Sequence, residues 1–324
     1  MIFKLSFLSR AFGAMTIATF LAMAQPAMAQ NPLAIPGTTV TLSPIEGWTV
    51  AEGFSGLANQ KTQSSAVVVE LPGAAEEQVA PLFSSIDAAR TAFASQGVEV
   101  KELQNLATDA GAEFSLVTGA QNAGGIPFDK WIALFKGAST VMLTVQAPQE
   151  AALDGSAVEA MLKSVVLADE VSMKEKLAAL PFRIETTEPF RVVDTIAGSG
   201  LLMTAGPADI DPEGKQPVVI VAMQVSQPAA AGQQEQIAKA LLTQTASLEQ
   251  AQVEKTETVP FAGGEGVLLS GSAGEADMAR RFVQYLRIGE EGRFVRLVAM
   301  AREAEFENVK SAVETIAASI DFRK

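Results

Sequence analysis

Three groups of residues in this chain have types and spacings that could do chemistry. The first is Asp209, Asp211, Glu213 and Gly214. An EF-type calcium loop puts oxygen ligands at positions 1, 3 and 5 and glycine at 6, as here, but it also needs a bidentate glutamate at position 12. That position is Ile220, inside an apolar run, so a solvated turn is expected. The second group is Glu113 and Glu265, which recur near glycines in a similar motif. A carboxylate-based hydrolase, for example a glycosidase, needs two such groups facing each other across a cleft. A turn role is the simpler reading. The third group is Arg281, Tyr285, Arg287 and Arg296, on two strands joined through Gly289-Glu290-Glu291-Gly292. If Ile288 pairs with Arg293, period-two alternation puts Arg281, Val283, Tyr285 and Arg287 on one face with Phe294, Arg296, Val298 and Met300. Tyr285 would then lie opposite Arg296, within cation–π reach. Phe282, Leu286, Val295 and Leu297 would face the core. Such a surface suits an anionic ligand or an acidic patch on a partner. The plainer alternative is a solvated face whose arginines pair with nearby carboxylates.

The chain has no histidine and no cysteine. That removes Ser-His-Asp and Cys-His catalysis, Cys/His zinc sites and most haem ligation. Gly-x-Ser-x-Gly, Ser-x-x-Lys and P-loop motifs are absent from the sequence. Ala197-Gly198-Ser199-Gly200 and Gly263-Gly264-Glu265-Gly266 are glycine-rich, but neither has the Gly-x-Gly-x-x-Gly order of a dinucleotide site. They are expected to be turns. No catalytic residue, cofactor or metal site is expected, and the protein is expected not to be an enzyme.

Residues 1–29 have the order of an export signal. Lys4 and Arg10 precede an apolar stretch from Ala11 to Met23, and Ala27-Met28-Ala29 is a small-x-small cleavage motif before Gln30. The apolar stretch is shorter than the roughly 20 residues a spanning helix needs. A periplasmic or secreted protein without membrane insertion is expected. The formal net charge is −13, and losing Lys4 and Arg10 makes it more negative. Such a chain repels nucleic acid and favours a partner with a basic surface.

The elements that would position these residues occur twice. Ala110-Gly111-Ala112-Glu113-Phe114-Ser115-Leu116 resembles Ala262-Gly263-Gly264-Glu265-Gly266-Val267-Leu268. Each is followed by an aromatic strand, Lys130–Lys136 and Arg281–Arg287. Lys130 and Lys136 align with Arg281 and Arg287. In the first half, strands are expected at Thr38–Leu42, Ala66–Val69 (covered on both faces), Val98–Leu106, Ala112–Thr118, Lys130–Lys136 and Thr140–Val145. A continuous helix is expected through Val79, Phe83, Ile86, Ala89 and Phe93. A second helix is expected to be capped by a box at Ser156–Glu159, with Val158, Met161 or Leu162, and Val165 buried. In the second half, strands are expected at Arg191–Val193, Leu201–Met203, Val218–Val221, Val253–Val259, Gly266–Leu269, Arg281–Ile288 and Arg293–Met300. A helix through Ile237, Leu241, Thr245 and Leu248 follows an Ala229–Gly232 loop. A closing helix buries Phe306, Val309, Val313, Ile316 and Ile320. The expected organisation is a signal (1–29), an extended arm (30–37), a first domain (38–168), a charged linker (169–179) and a second domain (180–324). The expected class is α+β, with an antiparallel sheet and one internal and one C-terminal helix in each domain.

The Pro44-Ile45-Glu46-Gly47-Trp48 opening, the Gly111 turn, the Lys130-Trp131 strand and the closing helix resemble the PsbP-like family. The resemblance covers residues 38–324 taken as two copies. The second copy departs from it at the opening, with Glu188-Pro189-Phe190-Arg191 in place of Gly-Trp. The resemblance implies an α/β/α sandwich and a non-catalytic, protein-binding role; with the export signal, an envelope or periplasmic protein is the expected partner. The alternative is a carrier holding a small anionic or amphiphilic ligand between the domains, with Leu201-Leu202-Met203 as an apolar wall.

Overall fold

The computed structural model describes residues 31–72, 76–209, 211, 213–225, 231–245, 247–274, 279–289 and 293–322. The expected signal (1–29), Ala229-Ala230 and Glu290-Glu291-Gly292 lie outside them. The first half contains β1 (Leu33–Ala34), β2 (Val40–Leu42), β3 (Thr49–Val50), β4 (Gly56–Asn59) and β5 (Ser64–Pro72). Helices α1 (Glu76–Val79) and α2 (Ile86–Ala94) follow. Then come β6 (Val98–Ala107), β7 (Glu113–Ala123), β8 (Ile126–Lys136), β9 (Ser139–Pro148), α3 (Gly155–Lys163) and β10 (Val166–Leu167). Helix α4 (Met173–Ala179) leads into β11 (Phe182–Arg183), β12 (Arg191–Ile196), β13 (Gly200–Thr204), β14 (Val218–Val225) and α5 (Gln234–Thr243). The chain closes with β15 (Gln252–Phe261), β16 (Gly264–Ala273), β17 (Arg280–Ile288), β18 (Arg293–Arg302), α6 (Glu303–Ser319) and β19 (Asp321–Phe322).

Two seven-stranded antiparallel sheets form. Their orders are β3-β4-β5-β9-β8-β7-β6 and β12-β13-β14-β18-β17-β16-β15, the same sequence of positions in both. Alternation along each strand sends apolar side chains to both faces. In the first sheet Phe114, Leu116, Ala133 and Phe135 meet Val158, Met161 and Leu162 of α3. Val117, Ile132 and Leu134 point the other way, toward Phe83, Ala89 and Phe93. In the second sheet Val283, Tyr285 and Leu297 meet Phe306, Val309, Val313 and Ile316 of α6. Phe282, Leu286 and Val298 meet Ala238 and Leu242 of α5. Helices thus cover opposite faces of each sheet, in line with the α+β expectation. Each large aliphatic or aromatic side chain buried this way stabilises the fold by roughly 1.5–3 kcal/mol.

Several expected elements differ. The helix through Val79–Phe93 is broken: Pro81 sits in a 3-10 turn over Ala80–Phe83, and α2 restarts behind Ser85, whose side chain caps the Ala88 amide. Proline removes the amide a continuing helix would need. Asp154, not Ser156, caps α3, accepting from the Ser156 amide at 2.9 Å. The capping box lies instead at Ser172 and Glu175, and it starts α4 inside the expected linker. Helix α5 ends at Thr243, so Leu248 is buried from a loop. In β5 Ser64, Ala66 and Val68 are buried while Ser65, Val67 and Val69 are half-covered, so one face of that strand is core and the other is not. Gly119 lies within β7 because a Cβ there would come within 2.5 Å of the Glu99 carbonyl oxygen. Within the arm, Leu33–Ala34 pairs with β2, and Ile35 is buried.

The outermost strands β6 and β15 each carry a bulge, at Val100/Glu102 and Val253/Lys255. The two sheets touch where the Ser55 amide donates to the Ala197 carbonyl at 2.9 Å. Gly198, in the left-handed region at φ 62°, packs directly on Ser55. Lys176 of α4 pairs with Asp194 of β12 at 3.0 Å.

Candidate interaction site

The β17–β18 register decides the fate of the predicted arginine surface. The Gly289 amide donates to the Arg293 carbonyl at 2.7 Å, and Ile288 pairs with Phe294. The pairing is displaced by one residue along β18 from the expected register. A one-residue slip sends every side chain of a strand to the other face. Arg281, Val283, Tyr285 and Arg287 therefore share a face with Val295, Leu297 and Ala299, and Arg296 lies on the opposite face beside Leu286. The predicted Tyr285–Arg296 contact is corrected: the sheet separates the two side chains.

Each of the four residues has a different environment. Arg281 pairs with Glu254 at 2.8 Å, and Ser272 also donates to that carboxylate. These two partners hold the Glu254 pKa below the usual glutamate value. Tyr285 is core, its ring 5.4 Å from Phe261. Burial, with Glu314 and Glu257 adding negative charge, raises its pKa. Arg287 donates to the Ala262 carbonyl, and its guanidinium lies 5.3 Å from the Phe322 ring centroid, a cation–π contact. Arg296 is largely buried; its Nε donates to Gln284 at 2.8 Å and its Nη2 to Thr245 at 2.5 Å. Burial lowers its pKa to about 10. Gln284 is fully buried and donates to the Ala238 carbonyl of α5 at 2.7 Å. Thr245 in turn donates to the Leu241 carbonyl at 3.0 Å. Arg296 therefore sits at the C-terminal end of α5, where the helix dipole favours a cation. This network ties α5 to the sheet.

The first sheet is apolar at these positions. Leu134 pairs with Ser115 as Leu286 pairs with Val267, the corresponding residue of the duplicated motif. Across the next ladder Leu134 faces Met142, and Leu286 faces Arg296. Ile132 likewise stands where the second sheet has Gln284. The match of Lys130 and Lys136 to Arg281 and Arg287 is thus one residue out. Lys130 donates to Gln146 at 2.6 Å, and burial lowers its pKa. Lys136 pairs with Glu76 at 3.0 Å.

The other expected groups are committed to neighbours. Asp209 pairs with Arg191 at 2.6 Å, Asp211 accepts from the Gln216 amide at 2.6 Å, and Glu213 pairs with Lys215. The Gln216 amide, with neighbouring amides, lowers the Asp211 pKa. Glu113 and Glu265 are exposed at the first turns of β7 and β16, in separate sheets. Leu201 and Met203 are core.

A groove of ≈ 570 Å³ opens at the β15–β16 hairpin. Its walls include Val259, Pro260, Phe261, Ala262 and Ala318, with Glu265 at the rim. Its signal in the sequence was the apolar run Val259–Ala262 running straight into a glycine turn. Arg287 stands directly against Gly264, where a Cβ would lie 2.6 Å from its guanidinium. On the other side of the hairpin, Glu235, Glu257 and Glu265 line a polar hollow of ≈ 400 Å³. The corresponding hairpin of the first sheet has a groove of ≈ 780 Å³ lined by Leu106, Phe114, Glu113, Lys136 and Lys163.

No protein-family model and no curated protein matches this chain. Solved structures overlap it loosely. LpqN, involved in cell envelope biogenesis of Mycobacterium tuberculosis, is 16% identical with a TM-score of 0.32, over 44% of this chain and 83% of its own. A cyanobacterial PsbP from Synechocystis is 15% identical with a TM-score of 0.33, over 44% and 87%. The immunity protein TplEi of T6SS from Pseudomonas aeruginosa, complexed with "L" peptide, is 10% identical with a TM-score of 0.31, over 91% and 99%. Overlap this loose leaves function to be argued from the chain's own residues.

Proposed function

We infer that this chain is an exported, non-enzymatic binding protein of the bacterial periplasm that works through protein–protein contact. Its two sheets are two PsbP-like domains in tandem, 38–168 and 180–324, joined by 169–179. The observation that carries the reading is the β15–β16 groove: apolar walls from Val259 to Ala262, with the exposed Glu265 on its rim. The charged or amide side chains held inside the second sheet, Arg296 and Gln284, are occupied in anchoring α5, so the working chemistry lies at the surface. A basic segment with one apolar side chain fits this lip, and the negative charge of the whole chain would steer it there.

The test is affinity capture from periplasmic extract with the mature chain, beside Glu265→Lys and Ala318→Trp. The partner should be retained by the parent chain, weakened by salt and lost with either variant. Retention by both variants, or no retained protein at any salt, overturns the reading. Carriage of a small ligand between the two sheets has less support, because Leu201 and Met203 of its expected wall are consumed by the core.

A further inference from the structure

The side of the second sheet that faces α5 is only partly covered. Helix α5 packs on β16 and β17. Over β12, β13 and β14 the same face opens into a pocket of ≈ 360 Å³. Its apolar surface comes from Val193, Leu202 and Val218, and Arg280 joins the lining from β17. Val218 pairs with Met300, a member of the cluster under α5, which fixes the face.

Arg280 pairs directly with Arg302 across the β17–β18 ladder. Like charges placed opposite each other destabilise a sheet. Among the described residues neither arginine has a carboxylate within ion-pair distance, whereas Arg191 pairs with Asp209 and Arg281 with Glu254. Of the two acidic residues of the pocket, one has a cationic partner and the other keeps its charge. Asp209 is neutralised by Arg191, and Asp211 accepts the Gln216 amide. The Arg280 guanidinium lies against Gly214, which has φ 57° and no side chain to displace it. Counting Arg191 and Arg302 beside the lining, three arginines here outnumber Asp209 and Asp211, over an apolar floor.

We propose that this pocket binds a small monocarboxylate with a short apolar chain. Its carboxylate lies on Arg280 and relieves the Arg280–Arg302 opposition, and its chain lies on Val193, Leu202 and Val218. A guanidinium offers a carboxylate two parallel donors in a fixed fork. The volume suits a chain of several carbons. This site is separate from the β15–β16 groove and does not depend on it.

The experiment is calorimetric titration of the mature chain with sodium octanoate, octylammonium chloride and inorganic phosphate. Octanoate should bind saturably at one site. Octylammonium has the same tail and the wrong charge, and phosphate has the charge and no tail; neither should bind there. Arg280→Gln should weaken octanoate roughly tenfold to a hundredfold, the loss of a charge-assisted hydrogen bond. Arg280→Lys keeps the charge without the fork and should fall between. It also guards against a Gln variant that fails to fold. Unsaturable octanoate uptake, equal binding of octylammonium, or unchanged affinity in a folded Arg280→Gln or Arg280→Lys chain would overturn the proposal.

Discussion

Replacing Gln284 by isoleucine tests whether the buried polar network holds α5 in place. The substitution removes the donor to the Ala238 carbonyl and the acceptor of Arg296 Nε. The Ala238 carbonyl is buried and Arg296 largely so, which leaves little water to replace the lost bonds. Losing one neutral and one charge-assisted hydrogen bond should cost about 3 kcal/mol. A unit of this size should then melt roughly 10 °C lower. The first sheet supplies the control, because it has Ile132 and Met142 at the corresponding positions. Adding Arg296→Met to Gln284→Ile rebuilds that apolar pair and removes the uncompensated cation. Stability should return to within about 1 kcal/mol of the parent, since an apolar pair can replace a buried polar one at little cost. The double-mutant cycle should show a coupling of roughly 2 kcal/mol. Both tryptophans, Trp48 and Trp131, lie in the first half, so their fluorescence reports the wrong sheet. Circular dichroism melts, with amide exchange read on α5, observe the right one. A Gln284→Ile cost under about 0.5 kcal/mol, or a double variant less stable than Gln284→Ile alone, would refute the anchoring argument.

Two further outcomes follow from named contacts. Tyr285 is the sole tyrosine, and its raised pKa comes first from burial. Absorbance titration should therefore show phenolate forming above the ordinary tyrosine value near 10. The folded state then holds its proton more tightly than the unfolded one, so this stability contribution is complete below that value and is lost as pH rises through the folded pKa. Ordinary titration of the folded protein would contradict the assigned burial. At the contact between the sheets, Gly198→Ala would drive a methyl group into Ser55 and strain a left-handed backbone. It should cost about 1–3 kcal/mol and speed amide exchange at Ser55 and the β12–β13 turn. Unchanged exchange there would show that the contact is not held in solution.

Much of the fold was legible in the sequence because it rests on periodicity and glycine. The duplicated Gly111 and Gly263 turns are hairpin turns with φ 87° and 78°. The α6 stripe from Phe306 to Ile316 is buried as its spacing required. What failed depended on single residues. Asp154 displaced Ser156 as a cap by standing two positions earlier, and Pro81 divided a helix whose apolar spacing looked continuous. The arginine surface failed on register alone, because pairing of Ile288 with Phe294 instead of Arg293 inverts the alternation of β18. Once that strand is turned over, Arg296 becomes an internal anchor and Tyr285 core. The groove at Phe261 escaped notice because apolar residues beside a turn look the same in sequence whether they fill a core or line an opening.

The bulges on β6 and β15 have a consequence for crowding. An unpaired margin of a β-sheet invites another molecule to extend it, and fibres grow in that way. Here one outer strand of each sheet is kinked at the corresponding place, so a second molecule laid along that edge would fall out of step within a few peptide units. The chain thus carries the same safeguard against fibrous self-association on both sheets, and it needs neither a covering helix nor a covalent cross-link to provide it.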